Sequence, residues 1–227
     1  MSDLIDTTEM YLKTVFELLE EGILPMRARI AERLGHSGPT VSQTVARLER
    51  DGLMVVSDDR HLELTELGQA RAMHVMRKHR LAERLLVDVI GLDWPHVHEE
   101  ACRWEHVMSE QVERRLIELL DRPKYDPYGN PIPGLDELGV DPAADEAVVS
   151  LVEVAPTDSV ELRLVRVGEP LQVDVGLLAQ MEELGIRPGV LVQVRREESV
   201  LVLGVSGSQS ELELGDDLAK HLFVAAS

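Results

Sequence analysis

The segment 27–64 constrains the fold of this chain most strongly, because it contains two short helical patterns with a tight turn between them. The first pattern covers Arg27–Leu34, and residues 35–37 form the turn. The second helix has Ser37 as a suitable N-cap. It carries Pro39 in its first turn, where the missing N–H leaves no hydrogen bond unmade. The pattern predicts a helix-turn-helix.

Two β-prone stretches follow directly, at 53–56 and 61–64, and residues 57–60 form a turn between them. A hairpin placed behind a helix-turn-helix is the order of a winged helix-turn-helix. The second helix of such a unit enters the major groove of DNA. The residues that we expect to contact DNA are Arg27, Ser37, Pro39, Thr40, Ser42, Gln43, Arg47, Arg50 and Arg60.

The chemistry of these side chains suits DNA. Gln43 can pair with adenine through two hydrogen bonds, and the small residues before it can contact thymine methyl groups. The arginines are suited to phosphates. The alternative is a helical hairpin whose polar residues are merely solvated, but the hairpin behind it favours DNA binding.

The formal net charge of −19 argues against a nucleic-acid partner until its distribution is considered. Residues 122–227 contain 8 basic and 19 acidic residues, a local charge of −11, whereas residues 26–50 contain 5 Arg and 2 Glu, a local charge of +3. An acidic body with one basic segment can orient itself on DNA through that segment.

The rest of the chain divides into a helical part and a β part. Periodicity and capping residues predict helices over 3–21, 65–90, 95–108 and 109–121. Prolines make 123–142 irregular, and alternation from residue 148 predicts five or so short strands with one helix at 175–184, an SH3-like barrel. The fold class is therefore mainly α with a small all-β domain. The predicted domains are 1–64 (DNA-binding), 65–140 (helical, dimerisation and metal-binding) and 148–227 (SH3-like).

Six side chains on two of the predicted helices form a candidate metal centre. At about 100° per residue, the four in the 95–108 helix share an arc of about 100°. The two upstream lie at i and i+4 on the preceding helix, so they also share a face. Imidazole, carboxylate and thiolate groups on packed helices are ligands for a divalent transition metal. The six residues are His79, Glu83, His98, Cys102, Glu105 and His106.

Each of these residues has an ordinary explanation when taken alone. A single buried His is more often a hydrogen-bonded core residue, and a single Cys a small hydrophobic one. Glu83 could pair with Arg80 or Arg84. As a set they are harder to explain without a metal, because burying unpaired carboxylates is costly.

At these residues the sequence resembles the diphtheria toxin repressor family, on the branch of actinobacterial iron-dependent regulators. The resemblance covers nearly the whole chain and is strongest at 6–11, 27–34, 37–43, 76–83, 100–106 and 128–134. It implies a repressor of iron-homeostasis genes that binds operator DNA when Fe2+ occupies it. It also implies a homodimer, with two dimers able to load one palindromic operator.

The resemblance further implies two metal ions per subunit. The regulatory site would use Met10, Cys102, Glu105 and His106. The ancillary site would use His79, Glu83, His98, Glu169 and Gln172. The last two come from the part of the chain that departs most from the family. Met10 lies on the first helix, so a metal bridging it to the dimerisation domain would fix the spacing of the two recognition helices.

Thioether and thiolate ligands favour Fe2+, with Co2+, Ni2+, Mn2+ or Zn2+ as substitutes in vitro. The manganese-sensing relatives resemble this chain but use carboxylates at those places. One alternative function is a metalloenzyme, although the sequence has no His-Glu-x-x-His motif, nucleophile elbow or phosphate loop. Another is a redox sensor that acts through the single cysteine, Cys102. With no basic flank at its start and no run of eighteen apolar residues, we expect a cytoplasmic protein without a membrane span.

Overall fold

The computed structural model of the chain describes residues 6–144, 146–154, 159–208 and 210–226. The predicted start of the first helix at residue 3, and the ends of the predicted domains at residues 1 and 227, lie outside the described residues. Among the described residues, every helix is too short or too polar to span a lipid bilayer.

The N-terminal part contains α1 (Thr7–Glu20), α2 (Arg27–Leu34) and α3 (Gly38–Arg50), followed by a hairpin of β1 (Met54–Val56) and β2 (Leu62–Leu64). The Asp6 carboxylate caps α1 by accepting from the N–H groups of Thr8 and Glu9. Ser37 caps α3, as predicted. A buried cluster holds these elements together, with Tyr11, Ile30 and Leu48 among its fully enclosed members.

The central helix α4 (Glu66–Leu85) connects this part to the rest of the molecule. Thr65 caps it by accepting from the N–H of Gly68. The predicted end of the helix near residue 90 is right, but α4 itself ends at Leu85 and the last turn, Leu86–Ile90, has π-helical hydrogen bonding. Gly91 then ends the turn at a φ of 75°, a conformation that favours glycine.

The predicted helix over 95–108 is also shorter than expected. A 3-10 turn at Trp94–His96 leads into α5 (Val97–Trp104). The Val107 N–H bonds to the Trp104 carbonyl three residues back, so the chain turns over instead of adding another α-helical turn. Glu105 and His106 therefore lie in the turn between α5 and α6 (Glu110–Leu119) and not on a helix with His98 and Cys102.

The proline-rich segment 123–142 is irregular as predicted, apart from a 3-10 turn at Leu135–Leu138, and it is packed against the protein. Its turn is organised by Asp126, whose Oδ1 accepts from the N–H of Tyr128 (2.7 Å) and of Asn130 (2.9 Å). Tyr128 is fully buried and donates to the Trp94 carbonyl. The segment thus joins the 3-10 turn before α5 to the C-terminal sheet, since Asn130 also donates to the Val167 carbonyl.

The C-terminal part is a six-stranded antiparallel sheet with short helices between strands. In chain order its elements are β3 (Val148–Ser150), α7 (Leu151–Val154), β4 (Val160–Val167), α8 (Glu169–Gln172), α9 (Val175–Glu183), β5 (Leu191–Glu197), β6 (Val200–Val205), β7 (Glu211–Gly215), α10 (Asp216–Ala219) and β8 (Leu222–Ala225). The strand order is β3-β8-β4-β5-β6-β7. The sequence pattern missed β8 and the short helices α7, α8 and α10.

One continuous core joins the helical part to this sheet. It runs from Leu81 and Val97 through Tyr128 to Leu164 and Val194. The two regions that the sequence separates as domains are thus packed as one unit around the base of α4. The N-terminal core is a separate cluster.

Candidate metal centre

Four elements bring the predicted ligands to one place. His79 and Glu83 lie on the buried face of α4. His98 and Cys102 come from α5, and Glu105 and His106 come from the turn after it. Met10 comes from α1, and Glu169 and Gln172 come from α8 of the C-terminal sheet. A cavity of about 660 Å³ opens where these elements meet, and Met10, Cys102, Glu105, His106 and Glu169 line it.

The ancillary set is closely assembled. His79 Nε2 lies 2.8 Å from Glu83 Oε1 and 3.1 Å from His98 Nδ1. Glu169 Oε2 approaches the same two nitrogens, at 3.7 Å from His79 and 3.4 Å from His98. All four side chains are buried. The long-range approach of Glu169 to this group is what the resemblance led us to expect.

Unpaired oxygen atoms in this group fit a bound cation. Among the described residues, Glu83 Oε2, both carboxylate oxygens of Glu169 and Gln172 Oε1 are buried without a hydrogen-bond partner. Buried polar atoms are rarely left unpaired, because the cost of desolvation is not recovered. Gln172 is oriented by its own Nε2, which donates to the Val167 carbonyl at 2.8 Å and leaves the oxygen free. Oxygen and imidazole donors of this kind are suitable ligands for a divalent transition metal.

The regulatory set is less tightly gathered. Glu105 Oε1 lies 3.3 Å from His106 Nε2, and Cys102 is half-buried beside them. Met10 is half-buried and lines the same cavity. Glu9, on α1, receives a hydrogen bond of 2.6 Å from His106 Nδ1, which leaves Nε2 directed at Glu105.

The two predicted sites touch each other. His79 Nδ1 is 2.6 Å from Glu105 Oε2, and His98 Nε2 is 3.6 Å from the Cys102 sulfur. His79, His98 and Cys102 offer ligand atoms that all lie within 4.8 Å of one another. The two histidines therefore face the ancillary group with one nitrogen and the regulatory group with the other.

The charges in this centre balance one another. Burial raises the pKa of the Cys102 thiol, but the positive charges of Lys13, His98 and His79 outweigh it and lower the pKa to about 5. Burial likewise raises the pKa of Glu105, and Lys13 and His79 lower it to about 2. Cys102 is therefore a thiolate at neutral pH, the form that binds metals.

The sequence analysis missed Glu9 at this site, and it also missed Lys13. Its ammonium group lies 2.9 Å from Glu105 Oε2 and 3.1 Å from His79 Nδ1. Burial lowers its pKa, but the negative charges of Cys102 and Glu105 outweigh this and hold the pKa well above its usual range. Its position three residues after Met10 on α1 was the only available signal, and the pattern of α1 was interpreted as core.

The alternative pairings of Glu83 do not form. Arg84 pairs with Asp88 at 2.5 Å, and Arg80 binds Glu20 through two hydrogen bonds of 2.9 and 2.5 Å. Glu83 instead contacts His79 and His98. The ordinary explanation of this carboxylate as an ion-pair partner of Arg80 or Arg84 is therefore wrong.

The predicted DNA-contacting residues lie on or next to α3, at the start of α2 and at the tip of the hairpin, and all but one of them are exposed. Ser37 is also engaged in capping α3 and bonds to the Thr40 hydroxyl at 2.8 Å. Arg60 lies at the tip of the hairpin with a φ of 70°. Arg27 is half-buried at the start of α2. The exposed members are Ser37, Pro39, Thr40, Ser42, Gln43, Arg47, Arg50 and Arg60.

Three family models match the chain in succession. Residues 3–62 match the iron dependent repressor N-terminal DNA binding domain. Residues 65–134 match the metal binding and dimerisation domain of the same family. Residues 146–225 match the diphtheria toxin repressor SH3 domain. The predicted architecture is thereby confirmed, while the exact domain boundaries stay predictions.

Curated relatives match over almost the whole length. The diphtheria toxin repressor of Corynebacterium glutamicum is 55% identical over 220 residues, which cover 96% of each chain. The iron-dependent repressor IdeR of Mycobacterium tuberculosis is 59% identical over 197 residues, which cover 86% of each chain.

Solved structures agree with this likeness. A manganese-dependent transcriptional repressor in complex with manganese aligns with a TM-score of 0.81 at 26% identity, covering 97% of this chain and 100% of its own. ScaR with bound Zn2+ aligns with a TM-score of 0.78 at 28% identity, covering 98% and 100%. On the three matched domains and these relatives, the chain belongs to the iron-dependent repressor family of metal-dependent transcriptional regulators.

Proposed function

We propose that this protein is a transcriptional repressor that binds operator DNA as a dimer when Fe2+ occupies its metal centre. The observation that carries the proposal is the set of buried, unpaired oxygens on Glu83 and Glu169, which face the imidazoles of His79 and His98 beside the Cys102 sulfur; the unpaired oxygen of Gln172 lies on the same short helix as Glu169. Relatives named as iron-dependent repressors support iron as the metal. Solved relatives are described with manganese or zinc, so names alone do not decide between these metals. The choice of iron for this chain therefore also rests on the chemistry of its predicted ligands.

We assign two ions to each subunit. His79, Glu83, His98, Glu169 and Gln172 would hold the ancillary ion, and Met10, Cys102, Glu105 and His106 the regulatory ion. A bound divalent cation supplies positive charge and directed bonds that fix the relative positions of its ligands. Met10 and Cys102 provide the soft sulfur donors that favour Fe2+ over Mn2+.

The switch would act through α1. This helix packs along α4 and brings Met10 to the centre, while its other face belongs to the core of the DNA-binding part. Fixing Met10 against Cys102 and Glu105 therefore fixes the DNA-binding part relative to the dimerisation part. Only one relative angle matches two recognition helices to half-sites one helical turn apart.

Exposed apolar side chains support dimerisation. Val89, Ile90 and Val107 are each more than half exposed, at 54%, 53% and 59%, and they lie in the part that matches the dimerisation model. Exposed apolar side chains in the segment that matches the dimerisation model are suited to burial between subunits. Two dimers on one palindromic operator are the larger assembly that we propose.

The test is operator binding against free metal. A duplex is selected from a random pool in the presence of Co2+, and its binding is followed by fluorescence anisotropy under anaerobic, reducing conditions. We expect at least about a hundredfold tighter binding with Fe2+ than with chelator, since specific binding exceeds non-specific binding by a larger factor. Equal binding in the two conditions would refute the proposal. Half-activation at lower free Mn2+ than Fe2+ would refute iron as the metal.

A further inference from the structure

Lys13 places a positive charge inside the metal centre. Its side chain is 7% exposed, and its ammonium group lies 2.9 Å from Glu105 Oε2, 3.1 Å from His79 Nδ1 and 3.7 Å from the Cys102 sulfur. These three atoms belong to residues assigned as ligands, and they come from both sites. No other lysine lines the buried floor of this cavity in the described part of the chain, since Lys220 lies at its exposed rim.

An ammonium group in this position supplies part of the positive charge that a bound metal ion would supply. It donates to a carboxylate and offsets the negative charge of the thiolate, so the ligands are stabilised without metal. A divalent ion bound to the same atoms would face a like charge at close range, and that repulsion is strong in a buried site. The ammonium and the metal therefore compete for one set of partners.

We propose that Lys13 is a built-in competitor of the metal, which neutralises the ligands in the metal-free chain and has to leave them when the metal binds. The proposal rests on the metal binding described under the proposed function. It concerns how tightly the metal ion binds and not whether it binds. Lys13 keeps the affinity for the metal lower than the ligands alone would give.

The structure offers a destination for the displaced group. Glu17 lies one helical turn further along α1, with Oε1 3.9 Å from the Lys13 nitrogen, and it faces the same cavity. Only Arg33 among the described basic residues is also paired with Glu17, at 3.6 Å. The cavity of about 660 Å³ leaves room for the lysine side chain to turn from Glu105 towards Glu17.

This role has a signature that a packing role lacks. Removing a residue that only holds the fold together weakens both the metal-free protein and its metal binding. Removing a competitor destabilises the metal-free protein but strengthens metal binding, because the lost interactions belonged to the metal-free state alone. The two measurements change in opposite directions.

The experiment uses the full chain with Lys13→Leu, which removes the charge without adding a donor atom, and with Lys13→Ala as a second variant. Metal-free protein is titrated with Co2+ under anaerobic conditions, and binding is followed by absorbance. Thermal unfolding is measured without metal. We expect the Co2+ dissociation constant to fall by about tenfold or more, and the midpoint of metal-free unfolding to fall by several degrees.

Lys220→Leu is the matched control, because it removes a lysine from the rim of the same cavity, and it should change neither quantity. Unchanged or weaker Co2+ binding by the Lys13 variants, with normal binding by the wild type, would overturn this inference alone. Failure of the wild type to bind Co2+ would refute the proposed function and this inference with it.

Discussion

Arg80 is a residue whose loss should strongly destabilise the metal-free protein. It is 1% exposed and binds the Glu20 carboxylate on α1 through both terminal nitrogens. It also donates to the Pro131 carbonyl at 2.6 Å and lies 3.6 Å from both Asp126 and Glu169. One guanidinium thus joins the DNA-binding part, the proline-rich segment and α8.

The size of the effect follows from what Arg80→Leu would leave behind. Glu169 is 6% exposed, so its carboxylate would lose a nearby positive charge in buried surroundings, and Glu20 would lose both of its hydrogen bonds to the guanidinium. Breaking a buried ion pair by removing one partner costs about 3–5 kcal/mol. We expect a loss of that order in the free energy of unfolding of the metal-free chain. Saturating metal should reduce the loss, because a cation at Glu169 would replace the missing charge.

The assay is urea unfolding followed by circular dichroism, with and without Co2+. The midpoints of wild type and variant are compared after checking that the free energy of unfolding depends on urea concentration with the same slope in both. Arg103→Leu is the control. Arg103 pairs with Glu99 and Glu100 on the surface of α5 and is largely exposed, so its loss should leave stability almost unchanged. Similar midpoints for the two variants would refute this account of Arg80.

The parts of the structure that the sequence predicted are those set by local geometry. His79 and Glu83 face the same way because residues four apart share a helix face, and their atoms lie 2.8 Å apart. The capping of α3 by Ser37 and of α4 by Thr65 follows from the same kind of short-range rule. In these cases the residues that decide the structure are within one turn of each other.

The parts that the sequence did not predict depend on packing between distant elements. The packing of α1 against α4 decides which residue of α1 faces Glu105. That residue is Lys13, and because 92 positions separate it from Glu105, no local pattern reveals the contact. The approach of Glu169 to His98 was expected only from the family resemblance. The end of α5 at Trp104 depends on where the chain has to turn to place α6, which no periodicity in 95–108 reveals.

Two further predictions concern DNA readout and pH. Gln43→Ala should relax sequence preference, costing roughly 1–3 kcal/mol on the best operator. Arg50→Ala should weaken all sequences alike and reduce the salt slope by about 1; unchanged relative affinities among operators in Gln43→Ala would contradict the readout. Burial raises the pKa of Glu21, but hydrogen bonds from His221 and Arg33 outweigh it and hold the pKa below the usual 4.5. Ionised Glu21 therefore contributes stability above pH 4.5 that is lost as the pH falls through its lowered pKa. The stability difference between wild type and Glu21→Gln should then shrink in acid, and a constant difference between pH 7 and 3 would contradict it.

The last prediction separates the two metal sites. Cys102 faces the cavity lined by Met10 of α1, whereas Glu169 comes from α8 of the C-terminal sheet. Under the proposed assignment, loss of Cys102 would remove the metal-mediated link between the dimerisation part and the DNA-binding part. Loss of Glu169 would leave that link in place and would free only the metal-mediated contact with the sheet.

Cys102→Ala should therefore abolish metal-activated operator binding, while Glu169→Ala should weaken it by a smaller factor and lower the Co2+ stoichiometry from two towards one per subunit. Binding curves against free Fe2+, together with the measured metal content, give both results. The contact between His79 and Glu105, at 2.6 Å, predicts that the sites are coupled. Glu169→Ala should thus also shift the half-activating Fe2+ concentration of the regulatory site upwards. Full activation in Cys102→Ala, or complete loss in Glu169→Ala with its fold intact, would reverse the assignment of the switch.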